Sequence, residues 1–66
     1  MSVFENVKKA AENQNISISA LEIKAGVANG TISGWKNGKP YLETFIKVAN
    51  ALEVPFDLLL DEEVKQ

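Results

Sequence analysis

The sequence has no cysteine and no histidine. Without thiols there is no disulfide framework and no thiolate nucleophile. Without either residue, a metal site would need carboxylates alone. Carboxylates cluster only at Asp61, Glu62 and Glu63, a run that reads as a solvated tail. Nucleophilic catalysis would need a base beside Ser17, Ser19, Thr31 or Ser33, and the sequence suggests none. Those hydroxyls read as helix caps or surface polarity. The chain is therefore read as no enzyme and without a cofactor. Arginine is also absent, so no guanidinium fork is available to pair with guanine or phosphate. No apolar run approaches the roughly 18 residues of a membrane span. Met1-Ser2-Val3-Phe4-Glu5 is no signal peptide, and a cytoplasmic protein is expected. No strand pattern, repeat or low-complexity segment is present.

What remains is ordinary in composition and uneven in charge. Apolar residues make up 45% and charged residues 24% of 66 residues, which fits one soluble domain. A chain this short buries only about 60% of its unfolded surface, so the fold must be simple. The net charge is −2. Residues 1–15 balance Lys8 and Lys9 against Glu5 and Glu12. Residues 16–40 set Lys24, Lys36 and Lys39 against Glu22, a net +2. Residues 41–66 set Lys47 and Lys65 against Glu43, Glu53, Asp57, Asp61, Glu62 and Glu63, a net −4. Such a field can turn the middle of the chain toward an anionic partner.

The apolar spacing predicts five short helices. Ser2 and Glu5 form a capping-box pattern before Val3, Phe4, Val7, Ala10 and Ala11, giving a helix over about 2–13. Asn13-Gln14-Asn15 breaks that pattern. Ser17 or Ser19 caps a second helix, about 17–25, with Ala20, Leu21, Ile23 and Ala25 on its apolar side. Gly26 is its natural left-handed stop. A third helix is expected over about 28–36, ended by Asn37-Gly38 and Pro40. The fourth, about 41–52, places Leu42, Phe45, Ile46, Ala49 and Leu52 on one face, widened by Val48. Pro55 suits the first turn of a fifth, about 55–61, whose face is Phe56, Leu59 and Leu60. Asp61 to Gln66 reads as a fraying tail. This is an all-α fold, with helices two and three in helix-turn-helix arrangement.

The segment from Gly26 to Gly38 has two unlike sides. Val27, Ile32 and Trp35 share one; Asn29, Gly30, Ser33 and Gly34 share the other. Each internal glycine costs roughly 1 kcal/mol relative to alanine in a helix. Either a partner approaches this bare face closely, or the helix is simply weak. Trp35 is spaced for the core rather than for stacking on a base. Tyr41 either contacts phosphate or covers the edge of the core.

These residues resemble a family. The order Ser17-Ile18-Ser19-Ala20-Leu21, Gly26-Val27, Thr31 to Pro40, Leu42-Glu43-Thr44-Phe45 and Val48 to Val54 is similar to that of Cro and lambda-repressor-like (XRE) helix-turn-helix domains. The likeness runs from Val3 to Leu60. It implies a compact five-helix DNA-binding domain and a transcriptional regulator, a repressor, which binds double-stranded operator DNA as a homodimer. The third helix would lie in the major groove. By position, Asn29, Gly30 and Gly34 fall at the principal base-reading sites, with Ala28, Thr31 and Ser33 beside them. Phosphate positions fall on Ser17, Ile18, Asn37 and Lys39, and Lys36 flanks the groove. Val54, Phe56 and Leu58 would build the apolar dimer contact.

The chain departs from the family pattern in three places. Ile18 stands where many relatives have glutamine, so only backbone amides remain there for phosphate. Two main reader positions are glycine, which leaves direct readout to Asn29, through adenine N6 and N7. Tyr41 replaces the usual serine or threonine before the fourth helix. DNA shape and thymine-methyl contact with Ala28 would then carry part of the specificity. The alternative is a protein-interaction module on the same fold that has lost DNA binding, favoured by the acidic balance, the missing arginine, Ile18 and the glycines.

Overall fold

A computed structural model describes residues 2–38 and 40–60. Among them, three α-helices and two 3-10 helices occur and no strand. We label the α-helices α1 (Val3–Asn13), α2 (Ile18–Ala25) and α3 (Leu42–Leu52). The 3-10 helices are Ser33–Lys36 and Phe56–Leu59.

Local chemistry sets each start. Ser2 Oγ accepts the Glu5 amide at 3.2 Å, and the Ser2 amide donates to Glu5 Oε1 at 3.2 Å. This capping box satisfies two amide donors at the start of α1. For α2 the cap is Ser17, whose Oγ accepts the Ala20 amide at 3.1 Å. Ser19, the other candidate, lies inside the helix. Tyr41 holds the N-cap position of α3 with no side-chain bond. It is 85% exposed, so it does not cover the core edge.

All three α-helices stop alike. The chain turns left-handed at Asn15 (φ 59), Gly26 (φ 77) and Glu53 (φ 60). The next amide then reaches back: Ile16 to Ala11 O at 3.0 Å, Val27 to Glu22 O at 3.1 Å, Val54 to Ala49 O at 3.2 Å. This is the Schellman closure, which fills carbonyls that a helix end leaves open. Ile16, Val27 and Val54, the residues after each turn, are half-buried. After α1 and α3 the turn thus returns an apolar side chain, Ile16 or Val54, to the core.

The core is Val7, Ala11, Leu21, Ile32, Trp35, Phe45, Val48, Ala49, Leu52 and Leu59. Trp35 meets Phe45 edge-on at 6.1 Å, and Phe45 meets Phe56 edge-on at 6.2 Å. That geometry is favourable for aromatic pairs. It links the middle of the chain to its C-terminal end. Two side-chain amides tie α1 to the rest. Asn6 Nδ2 donates to the carbonyls of Leu59 and Leu60, both at 3.0 Å, and Gln14 Nε2 donates to Leu52 O at 2.7 Å.

The structure corrects several expectations. Among the described residues three α-helices stand where five helices were expected. Residues 28–36 form turns through Asn29 to Ile32 and then the first 3-10 helix. The cause is Gly30, whose φ of 90° lies outside the helical region. Residues 55–60 likewise give only the 3-10 helix Phe56–Leu59; Pro55 is its N-cap at ψ 138, and its carbonyl accepts the Leu58 amide at 3.1 Å. The tail from Asp61 to Gln66 lies outside the described residues. Leu42, expected on the inner face of α3, is 64% exposed. Ile23, expected inside, is 81% exposed, and its neighbour Glu22 is buried instead.

Candidate nucleic-acid interface

α2 is linked to the middle segment by a polar contact from Glu22. Ile18, Leu21, Glu22 and Ala25 fall at i, i+3, i+4 and i+7, the stripe that faces the core. Glu22 therefore points inward and is 3% exposed. A buried carboxylate is costly unless its oxygens are hydrogen-bonded. Here both are: Oε1 accepts the Gly30 amide at 3.1 Å and Oε2 accepts the Ile32 amide at 2.8 Å. The backbone carbonyl of the same residue accepts the amides of Gly26 at 3.0 Å and Val27 at 3.1 Å. One residue thus holds both ends of the turn. Among the described residues, no buried side-chain nitrogen or oxygen lacks a partner.

From that anchor the segment is built outward. Ile32 is fully buried, and Trp35 is 8% exposed. Ala28 O accepts the Thr31 amide at 3.1 Å, and Gly30 O accepts the Gly34 amide at 3.0 Å. The Trp35 amide reaches Ile32 O at 3.0 Å, and the Asn37 amide reaches Gly34 O at 3.3 Å, which closes the 3-10 helix. With Ile32 and Trp35 fixed inside, Ala28, Asn29, Gly30, Ser33 and Gly34 are exposed. Thr31 is half-buried. A Cβ built on Gly30 or Gly34 would meet nothing within 4 Å. The outer face is open, small and polar.

The other positions singled out in the sequence divide. Ser17 is exposed at the α2 N-cap, while Ile18 is half-buried against the core. Asn37 is exposed. Lys36 Nζ lies 5.1 Å above the Phe4 ring, a cation–π contact that draws it back toward α1. Lys39 lies outside the described residues. Val54 and Leu58 come together in an open groove of about 290 Å³, with Asn6, Lys9, Ala10, Asn13 and Leu59. Phe56 is not part of that groove; its ring turns to Phe45.

Burial of Glu22 also changes the surface charge. It is the one acidic residue between positions 16 and 40. With its carboxylate inside, the exposed charges described in that stretch are Lys24 and Lys36, both positive. The exposed acids Glu43, Glu53 and Asp57 lie on α3 and beyond.

A capped helix, a glycine turn and a second short helical element, with a small polar face turned outward, is a helix-turn-helix arrangement. A helix-turn-helix family model matches residues 7–59. The chain belongs to the Cro and lambda-repressor-like (XRE) helix-turn-helix family. Neither the curated proteins nor the solved structures gave a match. Membership makes the domain one of a class of DNA-binding transcription regulators. Its second helical element is one 3-10 helix of four residues, entered through a left-handed glycine. No helix of the described residues is long and apolar enough to cross a membrane.

Glu22 is the site residue that sequence reasoning missed. Its signal was available in the spacing of Ile18, Leu21, Glu22 and Ala25. A carboxylate on a core-facing stripe demands donors, and a following turn of free amides supplies them.

Proposed function

We propose that this helix-turn-helix domain binds double-stranded operator DNA sequence-specifically and acts as a homodimeric repressor. Segment 28–36 enters the major groove. The observation that carries this reading is the exposed face of Ala28, Asn29, Gly30, Ser33 and Gly34, opposite the buried Ile32 and Trp35. The absence of large side chains lets backbone and groove floor approach closely. Asn29 is the one long polar reader on that face, and adenine N6 and N7 match its amide. Ser17, the amide of Ile18, Asn37 and Lys39 would contact phosphate, with Lys36 at the groove edge. Burial of Glu22 favours the same reading, because it takes the one acid of residues 16–40 off the surface.

A homodimer would pair copies through the groove that holds Val54 and Leu58, while Phe56, expected beside them, packs on Phe45 instead. That contact would space two reading segments about 34 Å apart, one DNA turn. The second reading, a protein-interaction module, is favoured by the shortness of the 3-10 helix and the half-buried Ile18. Selection from a random duplex pool tests the two. Enrichment of one two-fold-related sequence is the expected result. A pool that stays random after repeated selection in low salt overturns the DNA reading.

A further inference from the structure

We infer that Glu22 is the positioning residue of the DNA-reading face: its carboxylate sets the orientation of residues 29–34 and thereby the discrimination between operator and random sequence. This rests on the DNA-binding reading above.

The geometry argues for positioning beyond simple packing. Glu22 lies on α2, and the amides it receives, those of Gly30 and Ile32, belong to the turn that carries the reading face. Gly30 is left-handed at φ 90, a conformation that the chain leaves readily unless something holds it. No regular α-helical ladder does so, since residues 29–32 are turns. The 3-10 helix that follows is four residues long and is held through Trp35 in the core. The beginning of the reading face is therefore fixed by the Glu22 carboxylate and the buried Ile32. A group whose supporting contacts are loose by about 1 Å loses most of its directional contacts, while unspecific phosphate attraction survives.

The charge of Glu22 makes the test decisive, because its sign opposes the expected effect. Glu22→Gln removes a negative charge from the half of the molecule facing DNA. Electrostatics alone would tighten binding to every duplex. The amide side chain also keeps only one acceptor oxygen and sets an NH2 group against the second backbone donor. Positioning therefore predicts weaker operator binding.

The experiment compares wild type and Glu22→Gln, both shown folded by circular dichroism. Titrations use the selected operator and a random duplex of equal length. Amide shifts of Gly30 and Ile32 are followed by NMR. Expected are moved Gly30 and Ile32 shifts, a roughly tenfold weaker operator affinity, and random-duplex affinity equal to wild type or higher. An operator-to-random ratio that equals or exceeds wild type in the folded variant overturns the proposal. If Glu22→Gln fails to fold, Glu22→Asp, which keeps both oxygens on a shorter arm, must show the fall in ratio. If neither folds, Glu22 serves the fold alone and the proposal is overturned. A wild-type protein without operator preference fails at an earlier step: it removes the DNA reading, and the amide shifts then judge only the clamp.

Discussion

The Glu22 carboxylate accepts the Ile32 amide at 2.8 Å across the turn that joins α2 to the reading segment. Both residues are buried. The bond ties the stability of the fold to the shape of its outer face. Glu22→Ala leaves the amides of Gly30 and Ile32 without their acceptor, and should cost roughly 2–4 kcal/mol. Urea unfolding followed by Trp35 fluorescence measures it. An unchanged midpoint would show that solvent replaces the carboxylate freely.

The two glycines of the face should respond oppositely to a methyl group. Gly30 is left-handed, so Gly30→Ala should lose about 1–2 kcal/mol from backbone strain alone. Gly34 has no positive φ and open space around it. Gly34→Ala should therefore be neutral or stabilise by about 0.4–1 kcal/mol. Yet its methyl stands where DNA would approach. Retained stability with weakened operator binding is expected for Gly34→Ala. Unchanged binding would mean that this side of the segment faces solvent in the complex.

Asn29→Ala should relax preference at one adenine, at a cost of about 1–3 kcal/mol. Repeating the selection with the variant reads this directly. A site logo identical to wild type would move the readout to another residue.

Leu58 is 68% exposed in the groove with Val54. Leu58→Glu should leave the melting temperature of the monomer nearly unchanged, since little burial is lost. It should abolish self-association in sedimentation equilibrium. A wild type that is monomeric with and without operator removes this contact as a dimer surface.

How much of this was legible in the sequence follows from what periodicity can encode. The long helices were readable: α1 and α3 show apolar residues over three turns, and Val7, Ala11, Phe45, Val48, Ala49 and Leu52 are buried. In α2, only eight residues long, the apolar pattern could be phased in two ways. Counting only apolar residues put Ile23 inside; the structure puts Glu22 there, because the turn amides offered it partners. The burial of Ile32 and Trp35 and the bare outer face were legible from spacing. The backbone that joins them was not, since glycine in a helical pattern does not announce a left-handed φ at Gly30. Pro55 was similarly ambiguous between a first turn and an approach to one. The contacts of Asn6 and Gln14 with distant carbonyls have no local signature at all.

The central claim is that the face from Ala28 to Gly34 reads duplex DNA. A titration of the wild-type protein against its selected operator and a random duplex, across a series of salt concentrations, tests it most directly. A preference of roughly 10³ or more for the operator is expected. The salt slope should be shallow, equivalent to about three to five phosphates per protomer. Equal affinity for the two duplexes, or no binding to either in low salt, would contradict the claim.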